Sequence, residues 1–296
     1  MQSSIITAVF LPVALGIIML GLGLSLTLAD FRRVITMPRA IAVGLVCQVL
    51  LLPAVCFGIA KLFALPPELA VGLMLLSASP GGATANLFSH LAKGDVALNI
   101  TLTATNSVVS LLTLPIIVSA SLSHFLADGR EIPIQPDKVV QVFAIILVPV
   151  AIGMLVRAKK TDLALRLERP VRILSVVFLV LVIGAALLKD RATLGSAFAQ
   201  VGLPALVFNL ASLGVGYFVP RLLRLPKRQA IAIGMEIGIH NGTLAIAIAT
   251  TVLARDAMAV PAAIYSVIMF FTAAVFGFLV QRGAPIDETR TADPAA

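Results

Sequence analysis

Charge is what this sequence has least of. Of its 296 residues only 12% are Asp, Glu, Lys or Arg, about half the roughly 25% of a soluble domain. With 59% hydrophobic residues and a mean hydropathy of +1.06, this scarcity excludes a soluble enzyme and a disordered chain. Cysteine is scarce too. Cys47 and Cys56 lie inside one apolar run and read as buried free thiols, which excludes a disulfide framework or a CxxC redox motif. The three histidines, His90, His124 and His240, have no metal-ligand spacing. No Walker-type lysine loop supports ATP-driven transport by this chain, and no pair of membrane aspartates supports an intramembrane protease. The net charge of +8 sits in short clusters between apolar runs, the pattern of membrane topology and not of nucleic-acid binding.

What the chain does have is apolar runs of 20 or more residues, each long enough to cross roughly 30 Å of hydrocarbon. The expectation is an all-α polytopic membrane protein with about nine spans: 5–28, 40–64, 68–92, 95–122, 138–157, 170–188, 195–220, 228–253 and 258–281. Connections are short, so residues 1–282 read as a single integral domain and 283–296 as a disordered cytoplasmic tail. Met1 to Ser4 lack a basic leader region, so the first run reads as a retained helix. Counted by loop, 16 Lys and Arg residues fall on one side and 6 on the other. The richer side reads as cytoplasmic, placing the N-terminus outside and the C-terminus inside.

Two spans carry helix breakers in mid-membrane. The third contains Ser79-Pro80-Gly81-Gly82 and then Ala83-Thr84-Ala85-Asn86; the eighth contains Glu236-Ile237-Gly238-Ile239-His240-Asn241-Gly242. Proline removes a backbone donor and glycine destabilises a helix by about 1 kcal/mol, so both helices should open. Open backbone at membrane depth is tolerated only inside protein or along a cavity. The two breaks lie in antiparallel spans, which suggests that spans 1–4 and 6–9 form an inverted repeat with span 5 unpaired. Such paired interruptions point to a transporter's binding site.

Glu236 is the one acidic residue near the middle of a span, with no Lys or Arg at its depth. A charge there costs roughly 2.5–3.5 kcal/mol even on generous insertion scales, so it is either protonated or holds a cation. Asn99, Thr103 and Asn106 share one helical face of span 4. With Asn86, they offer the amide and hydroxyl oxygens a hard cation prefers, while freed N–H groups at the breaks suit a substrate carboxylate.

These residues carry a resemblance. The Ser79–Asn86 run, Leu91-Ala92-Lys93-Gly94-Asp95-Val96-Ala97-Leu98 and the Glu236–Gly242 run look like the signature of the bile acid:sodium symporter family. Gly21-Leu22-Gly23-Leu24-Ser25-Leu26-Thr27 with Asp30-Phe31 resembles an early motif of that family. The chain resembles its nine-helix form. The resemblance implies a core domain with crossing broken helices, a panel domain and two sodium sites. The first site would use Asn86, Asn99, Thr103 and Glu236. The second would use Glu236, the carbonyls of Ile237 and Ile239, and the His240 side chain. Substrate would meet Thr84, Ala85, Asn241 and Gly242. Ala85, Asn99 and His240 depart from the family pattern, and His240, where Gln is usual, leaves open whether one or two sodium ions are coupled.

The expected function is sodium-coupled import of a small or amphipathic organic anion, bile acid-like or pantoate-like, across a bacterial inner membrane. Its partners are that anion and the bilayer, with no obligatory protein partner. A proton-coupled carrier using Glu236 and His240, a Na⁺/H⁺ antiporter and a non-transporting receptor are the alternatives.

Overall fold

The computed structural model describes residues 11–126, 136–167, 169–171, 173, 174, 177 and 191–282. Among them the fold is helical: α1 (Leu11–Ser25), α2 (Leu28–Thr36), α3 (Pro38–Val46), α4 (Leu52–Leu62), α5 (Pro67–Ala78), α6 (Ala83–Leu91), α7 (Val96–Phe125), α8 (Pro136–Lys159), α9 (Arg191–Leu222), α10 (Lys227–Gly238), α11 (Gly242–Ala247) and α12 (Val260–Arg282). A π-helical turn, Cys47–Leu51, joins α3 to α4 in one rod, and a second, Ile248–Val252, extends α11. Among the described residues, four stretches are long and apolar enough to cross a membrane: Pro38–Leu62, Val96–Phe125, Phe198–Leu222 and Asp256–Arg282. The molecule is a polytopic helical membrane protein. The expected span 170–188 and the tail 283–296 fall almost wholly outside the described residues.

The first span ends sooner than expected. The Asp30 carboxylate accepts from the Thr27 N–H at 2.8 Å, the Thr27 hydroxyl at 2.7 Å and the Arg33 guanidinium at 2.8 Å. This cap restarts the chain as α2, so residues that read as loop are helical.

Both broken spans are present, and each break has a local cause. Ser79 is extended at φ −72°, ψ 141°, as the ring of Pro80 requires of the residue before it. Ile239 leaves the helix at φ −111°, ψ 90°, and the Asn241 side chain caps α11 by accepting from the Leu244 N–H at 3.0 Å. The two breaks then satisfy each other. Gly82 N–H donates to Ile239 O at 2.8 Å and Asn241 N–H donates to Pro80 O at 2.9 Å, an antiparallel bridge between Gly81 and His240. Their outer ends are also tied: Asp95 N–H donates to Arg228 O at 2.9 Å, and Arg255 pairs with Glu68 at 2.7 Å. Every residue from Leu69 to Ala78 and from Ala230 to Gly238 is buried.

The approach to each broken span repeats itself 160 residues on. Ala64 (φ 47°) and Arg224 (φ 60°) hold the left-handed turn. Leu65 N–H closes on Ala60 O at 3.0 Å and Leu225 N–H on Pro220 O at 2.9 Å, the Schellman ending of a helix. Pro66 and Pro226 follow in the same extended conformation, and α5 and α10 are 12 residues each.

Elsewhere, α1 crosses α8 through glycine. A Cβ on Gly23 would overlap the Val150 backbone, and one on Gly153 would overlap the backbone of α1, a small-residue contact of the kind that lets membrane helices approach closely. Gly23→Val should therefore lower stability by about 1–3 kcal/mol in detergent thermal unfolding. Gly58→Ala, where a Cβ meets nothing within 4 Å, should leave it equal or slightly higher.

Candidate cation and anion site

The crossing places the carboxylate of Glu236, fully buried on α10, against one face of α7. Thr103 donates its hydroxyl to Glu236 Oε2 at 2.6 Å, and Asn99 Nδ2 lies 3.2 Å from the same oxygen. Asn106 Nδ2 lies 3.4 Å from Oε1. The 99, 103, 106 spacing read from the sequence thus converges on one carboxylate. The fourth wall is Gly81, where a Cβ would overlap the carboxylate group; glycine is required here by close approach.

The shell has oxygens to spare. Asn99 Nδ2 also donates to Ala232 O at 3.0 Å, which fixes its amide orientation and turns Oδ1 away from any donor. Asn99 Oδ1, Asn106 Oδ1 and Asn86 Oδ1 are all buried without a hydrogen-bond partner. Leaving such acceptors bare costs on the order of 1–3 kcal/mol each. A carboxylate with neutral oxygens around it suits a hard monovalent cation. No group of three or more His, Cys, Asp or Glu side chains placed to hold a metal ion occurs among the described residues.

His240 is placed differently from the other expected ligands. Its Nδ1 lies 3.0 Å from Ser79 O. A carbonyl only accepts, so Nδ1 carries the proton and Nε2 presents a lone pair, buried and unpartnered. Phe208 stacks on the ring at 5.8 Å between centroids, and Tyr265 meets its edge at 5.5 Å. Ile237 and Ile239 are buried; Ile239 O already accepts from Gly82.

Two residues around the breaks escaped the sequence reading. Gln48, on the π turn, donates through Nε2 to both Ser77 O and Ser79 O at 3.0 Å, while its Oε1 is buried and bare. Asn209 of α9 donates to Gly238 O at 2.9 Å, as does the Tyr265 hydroxyl at 2.9 Å. Gln48 and Asn209 thus close the C-terminal ends of the two first half-helices. Their signal was a lone amide within an apolar span, the same signal that singled out Glu236.

On the anion side, Gly82 gives α6 no side-chain cap. Thr84 is exposed there, while Ala85 is buried with its N–H on Gly82 O at 2.9 Å. Asn241 spends its side-chain oxygen on capping α11, and Gly242 abuts Ser266 so closely that a Cβ would overlap it.

Thr103→Val removes the shortest donor to a buried carboxylate and should cost about 1–3 kcal/mol. Thr101→Val, which loses only a bond from Thr101 Oγ1 to Ala97 O, should cost at most about 1 kcal/mol. Thermal unfolding of the two variants side by side checks the difference.

Comparison with known proteins places the chain in a family. The Sodium Bile acid symporter family matches residues 12–197. An uncharacterized sodium-dependent transporter of Bacillus subtilis, YocS, is 29% identical over 265 residues, covering 87% of this chain and 78% of its own. A probable chloroplastic sodium/metabolite cotransporter of Arabidopsis thaliana, BASS1, is 27% identical over 274 residues, 92% of this chain and 67% of its own. The human P3 protein is 31% identical over 236 residues, 79% of this chain and 49% of its own. By the match over residues 12–197, more than half of its length, the chain belongs to the Sodium Bile acid symporter family, a family of membrane transporters and not of enzymes.

Proposed function

We propose that this protein is a secondary-active symporter in which inward sodium movement drives import of a small or amphipathic organic anion. The observation that carries the reading is the Glu236 carboxylate lying against the amides of Asn99 and Asn106, whose buried oxygens have no hydrogen-bond partner, as Asn86 Oδ1 on the broken third span has none. Sodium would sit among Glu236, Asn86, Asn99 and Thr103, with Asn106 at the edge. The relatives described as sodium-dependent or as sodium/metabolite cotransporters support the choice of ion.

The anion would dock where α6 begins, on N–H groups near Thr84 whose dipoles favour negative charge, with Asn241 and Gly242 opposite. Sodium would cancel the Glu236 charge, so the loaded carrier would cross between its outward and inward states more readily than the half-loaded one. That difference is what coupling requires.

The architecture we infer has nine spans with the N-terminus outside and the C-terminus cytoplasmic, in a bacterial inner membrane. The 160-residue recurrence, the antiparallel bridge and the matched capping by Gln48 and Asn209 support an inverted repeat. The glycine-packed α1–α8 pair supports a panel set against a core of the broken helices and α7.

Reconstituted in liposomes, the protein should take up a carboxylate from a panel including taurocholate and pantoate when sodium is higher outside. Equal potassium should not drive uptake, and Glu236→Gln should lower it about tenfold or more, equivalent to about 1.4 kcal/mol of lost coupling. Uptake driven by a proton gradient in sodium-free medium would instead select the proton-coupled carrier.

A further inference from the structure

We infer that the crossing binds a single sodium ion, because the protein's own hydrogen bonds and the His240 ring occupy the place of a second. This inference rests on the sodium reading above and fixes its stoichiometry. The two sides of the crossing differ in what they offer. On the α7 side the carboxylate lies against Thr103 and the amides of Asn99 and Asn106, each amide with an uncommitted oxygen.

On the other side, the polar groups are turned toward one another. Gln48 Nε2 and His240 Nδ1 both converge on Ser79 O, at 3.0 Å each, so the N–H groups of both side chains face inward at that carbonyl. Gly238 O takes donors from Asn209 and Tyr265, and Ile239 O takes the Gly82 N–H. The side-chain acceptors left are Gln48 Oε1 and His240 Nε2. An imidazole nitrogen suits zinc or copper, whereas hard cations take oxygens, so with His240 here the Ile237 carbonyl, Gln48 Oε1 and the shared carboxylate lack the side-chain oxygen that would close a second sodium shell. Nor can the ring turn away to open the place. Phe208 covers one face, Tyr265 holds the edge, and Nδ1 is pinned.

A glutamine at 240 would replace the nitrogen lone pair by an amide oxygen beside Gln48 Oε1 and keep an N–H₂ for Ser79 O. The consequence for the cycle is electrical. One sodium carried with a monoanion moves no net charge, so the membrane potential would not drive import.

The test is equilibrium binding of radioactive sodium to the purified full-length protein, with potassium as the balancing salt. Wild type should saturate at one ion per chain with a Hill slope of one, and His240→Gln should saturate at two. Two ions in wild type overturn the inference and leave sodium coupling standing. One ion in both proteins also overturns it, since His240 would then not be the cause. No sodium-specific binding in wild type overturns the sodium reading itself. If His240→Gln does not fold, the wild-type count decides alone.

Discussion

Two helices broken in the middle of a membrane leave backbone groups that water cannot reach, and each unsatisfied group there costs several kcal/mol. This chain meets the constraint by laying one break across the other: Gly82 serves Ile239 and Asn241 serves Pro80. The rest of the site follows from that pairing. It fixes α5 and α10 antiparallel at their crossing, brings Gly81 against Glu236, and sets Glu236 at the depth of Asn99 and Thr103. A side chain at Gly81 would push the two halves apart at the point where they meet.

The crossing also explains how a lone carboxylate is tolerated. Glu236 has no basic partner among the described residues, but three side-chain donors face it and glycine lets the backbone close in. Hydrogen bonds to a charged group are worth about 1.5–3 kcal/mol each, enough to offset much of the cost of holding the charge at that depth. The neighbouring amide oxygens gain nothing from this arrangement. Their lack of donors makes structural sense once a cation is allowed to share the shell.

Much of this was legible in the sequence because the membrane restricts what polar residues can do. Pro80, the paired glycines and Glu236 stand out against apolar runs, and their depth follows from counting along a helix. The helical face of Asn99, Thr103 and Asn106 follows from spacing alone. Other features were out of reach. That α2 restarts as a helix depends on how the Asp30 carboxylate folds back on Thr27, a local geometry which a run of charged residues did not announce. Gln48 depends on a π turn that rotates one side chain toward the end of α5. The orientation of His240 depends on which of its nitrogens finds a carbonyl, and only the packed crossing decides that.

The two broken helices related by the 160-residue recurrence are unequal. Glu236 has Leu76 at the equivalent place in the first half, and His240 has Pro80. The scaffold is repeated and the chemistry is not, so the proposed cation shell lies to one side of the crossing. The most direct test of that shell is thermal unfolding of the purified protein in sodium against potassium at fixed ionic strength, for wild type and Glu236→Ala. Binding to the folded state raises stability as RT ln(1 + [Na⁺]/Kd), about 2.7 kcal/mol at a hundred times Kd. A sodium-specific rise in wild type that disappears in Glu236→Ala is the predicted result. An equal response to sodium and potassium, or a sodium response that survives the loss of Glu236, would contradict the account.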